Sequence, residues 1–216
     1  MRNSPKREQV LALFGEGVDA IESLVSHFEP DPADRAWHRT VTEDWSVEEL
    51  GRHLLAVADW YHEWLDRAEH GDGAQPFSSR QLADRNELEV HDRRMVSGPD
   101  SYRQFTDRSR EYLRRLTSAA ESDAWNVPYG FAYGTTTVGL HAGAAAAEWH
   151  LHAWDLSGGE WQPADPGALY MAAGEVMTST QPVLQRMVTR RIVPLIAKRD
   201  PWNDLLTRTG RKPTRS

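Results

Sequence analysis

Apolar residues recur at three- and four-residue steps along almost the whole of this chain, and that period constrains its fold more than any other feature. Val10, Phe14, Val18, Ile21, Val25 and Phe28 trace one side of a first helix. The segment Glu29-Pro30-Asp31-Pro32-Ala33-Asp34 stops it. Ser46-Val47-Glu48-Glu49 reads as a capping box, with Trp45 and Leu50 placed on either side for a hydrophobic staple. The inward stripe of this second helix is Val47, Leu50, Leu54, Val57, Tyr61 and Leu65, and Gly71 closes it. After a polar loop over 72–80, one helix runs from about Ser79 to Met95, and Ser97-Gly98-Pro99 separates it from another that ends near Ala120. Residues 124–137, with Pro128, two glycines and Thr135-Thr136-Thr137, read as irregular or briefly extended. The next helix ends at Gly158-Gly159. Asp165-Pro166 then opens a further helix to about Val188, with Pro182 a candidate kink. The last 25 residues are polar and broken by Pro194, Pro201 and Pro213. There is no internal repeat and no long alternating strand pattern. The expectation is an all-α protein, a four-helix bundle over residues 1–158 with a helical C-terminal extension over 159–216.

A length of 216 residues suffices for one substantial core or a core with a modest appendage. Hydrophobic content of 39% and charged content of 26% describe a soluble globular chain. No apolar run approaches the ~20 residues of a membrane helix, and the N-terminus leads into an amphipathic pattern rather than a signal peptide. The expected location is the cytoplasm, with no membrane partner. There are no cysteines, which removes disulfides, cysteine-ligated zinc and a cysteine nucleophile together. Any thiol chemistry must use a thiol from outside.

The net charge of −7 argues against a nucleic-acid partner, since phosphate contacts need a basic surface. The charge is unevenly spread. From Arg186 to Ser216 there are nine Lys/Arg against Asp200 and Asp204, about +7, which leaves sixteen basic against thirty acidic residues elsewhere, about −14. The basic end is either a solvated tail or a site for an anionic small molecule.

The chemistry gathers in the stretch AAAAEWHLHAWDL, residues 144–156. Residues of an α-helix advance by about 100°, so Glu148 and His152 project from one face about 40° apart, while His150 lies about 200° from Glu148. His152 is therefore the ligand candidate and His150 a bystander. Ala144 and Ala145 share the Glu148 face and leave room for a cavity. His141, two turns back, also lines up with it. One carboxylate and one imidazole are too few for a tight metal site, and His53 is the inward-pointing third candidate, set among Leu50, Leu54 and Val57. Such a buried ring needs a partner, because burying it unpaired costs ~1–3 kcal/mol. Two imidazoles and a carboxylate leave a coordination position open, as in catalytic zinc sites. Nickel, iron and manganese suit the same ligands. A core polar network of the same three residues is the competing account.

The segments DWSVEELGRHLL (44–55) and AAEWHLHAWDLSGG (146–159) together resemble the mycothiol-dependent maleylpyruvate isomerase family, within the DinB-like superfamily of metal-binding four-helix bundles. In that family the histidine of the first segment joins the ends of an E-x-x-x-H motif to hold zinc, and those positions are His53, Glu148 and His152 here. LLTRTGRKP (205–213) also looks like the GR-x-P close of many relatives. The resemblance implies a metal that binds the thiol of mycothiol and lowers its pKa, giving a thiolate nucleophile. The isomerase itself carries a sizeable α/β C-terminal domain with a substrate-facing arginine, whereas only 58 residues follow Gly158 here. A thiol S-transferase is thus as fair an expectation as an isomerase.

Arg186, Arg190 and Arg191 are the candidates to meet carboxylates of thiol or substrate. Asp155, one turn after His152, is a candidate to orient a ligand or to share a proton-transfer role with His141. Asn86 and His91 sit on a helix expected to face the bundle. His27, His38, His62 and His70 read as surface residues, and Trp45 and Trp149 as cavity walls. The leading expectation is a metal-dependent, mycothiol-using transferase or isomerase acting on an electrophilic small molecule, as a monomer or homodimer. The alternatives are a hydrolase using metal-bound water and a non-enzymatic helical-bundle binding protein.

Overall fold

A computed structural model describes residues 6–28, 35–43, 45–74, 78–131, 134–178 and 200–212. Among them lie seven α-helices: α1 Arg7–Ser26, α2 Val47–Glu69, α3 Ser79–Asp92, α4 Gly98–Ala120, α5 Val138–Leu156, α6 Pro166–Thr178 and α7 Pro201–Arg208. None is long and apolar enough to cross a membrane.

Four of them form the bundle. α1 packs against α5 and α4, α2 packs against α4, and α2 meets α5 along a short seam. The core between them is strongly aromatic, with Phe14 of α1, Tyr61 of α2, Phe105 of α4 and Trp149 of α5 in edge contact. Aromatic pairs in such tilted arrangements add to plain area burial. Gly17 of α1 permits a close approach to α5, since a Cβ there would stand 2.7 Å from Trp149 Cβ.

The α2 start is built as its sequence suggests. The Ser46 side chain accepts from the Glu49 backbone N–H, while the Glu49 carboxylate accepts from the Ser46 N–H at 2.8 Å. Gly71 ends the helix region at φ +68°, and Gly158 and Gly159 end α5 at +69° and +97°, all left-handed conformations that glycine adopts without a Cβ penalty.

Several expectations are corrected. α1 stops at Ser26, short of Phe28, where the chain turns tightly: the His27 N–H donates to the Leu24 carbonyl at 3.3 Å and the Phe28 N–H to the Val25 carbonyl at 2.8 Å. Phe28 still packs on the core from the turn, which is why the apolar period runs through it. α3 stops at Asp92 and packs on the flank of α2 instead of entering the bundle. Its sequence has few apolar residues, one of which, Leu88, is exposed, and polar contacts hold it: Arg93 to Asp59 at 3.1 Å and Arg85 to Glu63 at 3.2 Å. His91 is correspondingly exposed beside Asp92. The brief extension expected within 124–137 is present, as two short strands, β1 Pro128–Phe131 paired antiparallel with β2 Gly134–Thr137, after a 3₁₀ turn at Asp123–Asn126. Pro201 does not break the chain but opens α7, capped by the Asp200 side chain. The expected helix end near Val188 and the Pro182 kink lie outside the described residues.

The segment beyond α5 is attached to the bundle. α6 packs on α5 and α7 on α6, with Trp202, Leu205 and Leu206 buried. At the α5–α6 crossing Gly143 lies so close to Ala172 that a Cβ would stand 2.0 Å from the Ala172 carbonyl oxygen.

Candidate metal centre

The second turn of α2 and the last turns of α5 bring three side chains together across the short α2–α5 seam. His53 is buried at 3% exposure on the apolar stripe of α2. Trp45, held just before the capping box, stacks on its ring at 4.3 Å between centroids. On α5, Glu148 and His152 lie one turn apart on the face toward α2. His53 Nε2 and His152 Nε2 each stand 3.5 Å from the same oxygen, Glu148 Oε1. One ligand atom from each of the three residues falls within 4.8 Å of the others.

That spacing is long for an N–H···O bond, whose range is about 2.7–3.2 Å. It is the spacing of metal ligands: donor atoms roughly 2.0–2.2 Å from a tetrahedral ion stand roughly 3.3–3.6 Å from one another. The chemistry of the donors fits as well. His53 Nδ1 is buried with no hydrogen-bond partner among the described residues, so the ring meets a polar group only through Nε2, on the side of Glu148. The two histidine side chains are 4% and 8% exposed and that of Glu148 is 29% exposed, so solvent reaches the trio on the carboxylate side.

His152 is oriented from behind. Its Nδ1 lies 2.9 Å from Asp155 Oδ2, which places the Nδ1 proton on that bond and turns Nε2 toward Glu148. Asp155 is buried and is itself held by Arg211, whose Nε donates to Oδ1 at 2.8 Å and Nη2 to Oδ2 at 2.5 Å.

The charges follow. Burial alone pushes the Glu148 carboxyl up, but its contacts with His152 and His53 outweigh this and hold it well below the usual carboxylate range. Burial pulls the His53 imidazolium down, and the nearby glutamate does not restore it, so the ring is held neutral. Burial acts the same way on His152, yet the hydrogen bond to Asp155 and the negative charge of the neighbouring Glu148 win and raise it. Asp155 is lowered, because its bonds to His152 and Arg211 overcome the desolvation that raises it.

His150 faces the other way, as helical geometry requires. Its Nδ1 accepts from Trp161 Nε1 at 3.1 Å, which puts the ring proton on Nε2, and that atom donates to the Leu13 carbonyl at 3.0 Å. Both nitrogens are thereby satisfied away from the trio. His141 is not brought to the trio either. It is 1% exposed in a cage formed by Tyr61, Trp64, Tyr129 and Phe131, with its Nδ1 hydrogen-bonded to the Tyr129 hydroxyl. Burial drives its pKa down to about 3.

Trp45 walls the site, whereas Trp149 is fully buried in the aromatic core. Asn86 is half-buried on α3. His27, His38 and His70 are exposed, and His62 is half-buried with its Nε2 on the Arg108 carbonyl at 3.0 Å. Arg186, Arg190 and Arg191 lie outside the described residues. Arg211 was not legible as a site residue, although the Gly-Arg pair in LLTRTGRKP was the available signal.

A family model described as the mycothiol maleylpyruvate isomerase N-terminal domain matches residues 6–157, which span α1 through α5 and all three residues of the trio. No curated protein and no solved structure matches the chain. A DinB-like helical bundle, with two histidines and a glutamate converging across the α2–α5 seam, is accompanied by a match over more than half of the sequence, and the chain belongs to the mycothiol maleylpyruvate isomerase N-terminal domain family.

Proposed function

We propose that this protein is a metal-dependent enzyme that uses an external low-molecular-weight thiol, mycothiol, against an electrophilic small molecule, as an S-transferase or isomerase. The observation that carries the reading is the convergence of His53 Nε2 and His152 Nε2 on Glu148 Oε1 at metal-ligand spacing. His53, Glu148 and His152 are the residues that would hold the ion, with zinc first in line and nickel, iron and manganese compatible with the same donors. When bound, such an ion supplies a Lewis acid that lowers the pKa of a thiol, so that thiolate is available near neutral pH.

The chain's own groups do the rest. It contains no cysteine, so the nucleophilic sulfur comes from the thiol cosubstrate. His53, neutral by burial and fixed by Trp45, offers Nε2 without first losing a proton. His152 is kept in one tautomer by Asp155, and Glu148 brings the negative charge and the solvent-accessible edge. Asp155, with both oxygens engaged, orients His152 rather than shuttling protons. His141, neutral in its cage, takes no proton in this reading. Arg186, Arg190 and Arg191 are the proposed partners for carboxylates of thiol or substrate.

The test is turnover of an electrophilic acceptor with mycothiol added, omitted, or replaced by glutathione. The reading expects product only when a thiol is present, with loss of turnover after chelation. Product formed at the same rate without thiol contradicts it and favours hydrolysis by bound water.

A further inference from the structure

We infer that Arg211, in the C-terminal tail, is a positioning residue of the metal centre, clamping Asp155 so that Asp155 fixes the rotation of His152. The inference rests on the reading of His53, Glu148 and His152 as metal ligands. It extends that centre beyond residues 6–157, which match the family.

Two observations support it independently. The first is the bond pattern. Asp155 Oδ2 accepts both from His152 Nδ1 at 2.9 Å and from Arg211 Nη2 at 2.5 Å, while Oδ1 accepts from Arg211 Nε at 2.8 Å. A carboxylate held by a single ring N–H can rotate about its terminal bond. A planar guanidinium bound to both oxygens fixes the carboxylate plane, and with it the direction in which Oδ2 receives the imidazole proton. The side chains of Arg211, Asp155 and His152 are 16%, 5% and 8% exposed, so solvent screens the relay little.

The second is how the tail delivers the guanidinium. α7 is anchored by buried Trp202, Leu205 and Leu206. It ends in a paired cap, with Gly210 N–H donating to the Thr207 carbonyl at 3.2 Å and Arg211 N–H to the Leu206 carbonyl at 2.9 Å. Gly210 takes φ +85° to make this turn, a left-handed conformation suited to glycine. The Gly-Arg pair is thus a turn followed by a clamp. Because the clamp touches a residue that holds a ligand, metal binding and tail docking are coupled, and each strengthens the other.

The experiment measures zinc affinity of the full chain by competition with a chromophoric chelator at fixed pH. The proteins compared are the unaltered chain, Arg211→Ala, Arg211→Lys, Asp155→Ala and the Arg211→Ala/Asp155→Ala double variant. Melting curves confirm that each is folded. Loss of such an outer partner weakens metal binding by about 10–100-fold, and Arg211→Ala is expected in that range. Arg211→Lys, whose ammonium cannot span both oxygens, falls between, and it decides the matter should Arg211→Ala fail to fold. In the Asp155→Ala background Arg211→Ala adds little, an outcome that a merely structural anchor would not give. In the unaltered chain zinc also slows amide exchange over residues 200–212. Zinc bound equally tightly by the unaltered chain, Arg211→Ala and Arg211→Lys, or fully additive effects in the double variant, overturns this proposal alone. No zinc binding by the unaltered chain overturns the metal reading and this proposal with it.

Discussion

His150 and His152 are two positions apart and chemically identical, yet the fold gives them opposite roles. His152 turns one nitrogen to Asp155 and the other toward Glu148, whereas His150 spends both on Trp161 and the Leu13 carbonyl. Replacing His150 by alanine is therefore expected to leave metal content unchanged while lowering stability by about 2–4 kcal/mol, from a core cavity and two stranded polar partners. Denaturant titration beside metal analysis checks both halves. His141 makes a pH prediction. Its pKa falls from 6.5 in the unfolded chain to about 3 in the folded one, so between those values the unfolded state binds the proton and the folded state does not. Stability from this group therefore drops as pH falls below 6.5, by up to about 1.4 kcal/mol per unit. The melting temperature of His141→Phe should decline less than that of the unaltered protein between pH 7 and 4.5, and parallel declines would refute this role. The split between the two histidines was legible, since it follows from the angle per residue. The Arg211–Asp155 bond was not, because it joins residues 56 apart through a packed tail that no local period encodes.

At the scale of elements, two small features carry the site. The capping box fixes where α2 begins and so where His53 falls on it. Ser46→Ala should destabilise the protein by about 1 kcal/mol, measurable by denaturant unfolding. α6 can lie on α5 only because Gly143 has no side chain where the Ala172 carbonyl passes. Gly143→Ala should cost about 1–3 kcal/mol through overpacking against backbone, and an unchanged melting temperature would show that the crossing is slack. The start of α2, its stripe and the face of α5 were readable, because caps and periods are local. That α3 stays outside the bundle was less so, since helical spacing says where apolar residues point and not how many neighbours they will find. The brief extension over 124–137 was readable but not its pairing, the four-residue strands being too short to show alternation.

For the whole molecule, the bundle of α1, α2, α4 and α5 sets His53 opposite Glu148 and His152, and the C-terminal segment reaches back to the same place through Arg211. Metal affinity should rise with pH, because an ion at the trio displaces a proton that Asp155 and Glu148 hold on His152 in its absence. The most direct test of the account is the metal content of the purified chain beside that of His53→Ala and Glu148→Gln, after each is loaded with zinc and freed of excess. The account predicts an equimolar ion in the unaltered protein and loss from both folded variants. No ion in the unaltered protein, or the same content in all three, would contradict it.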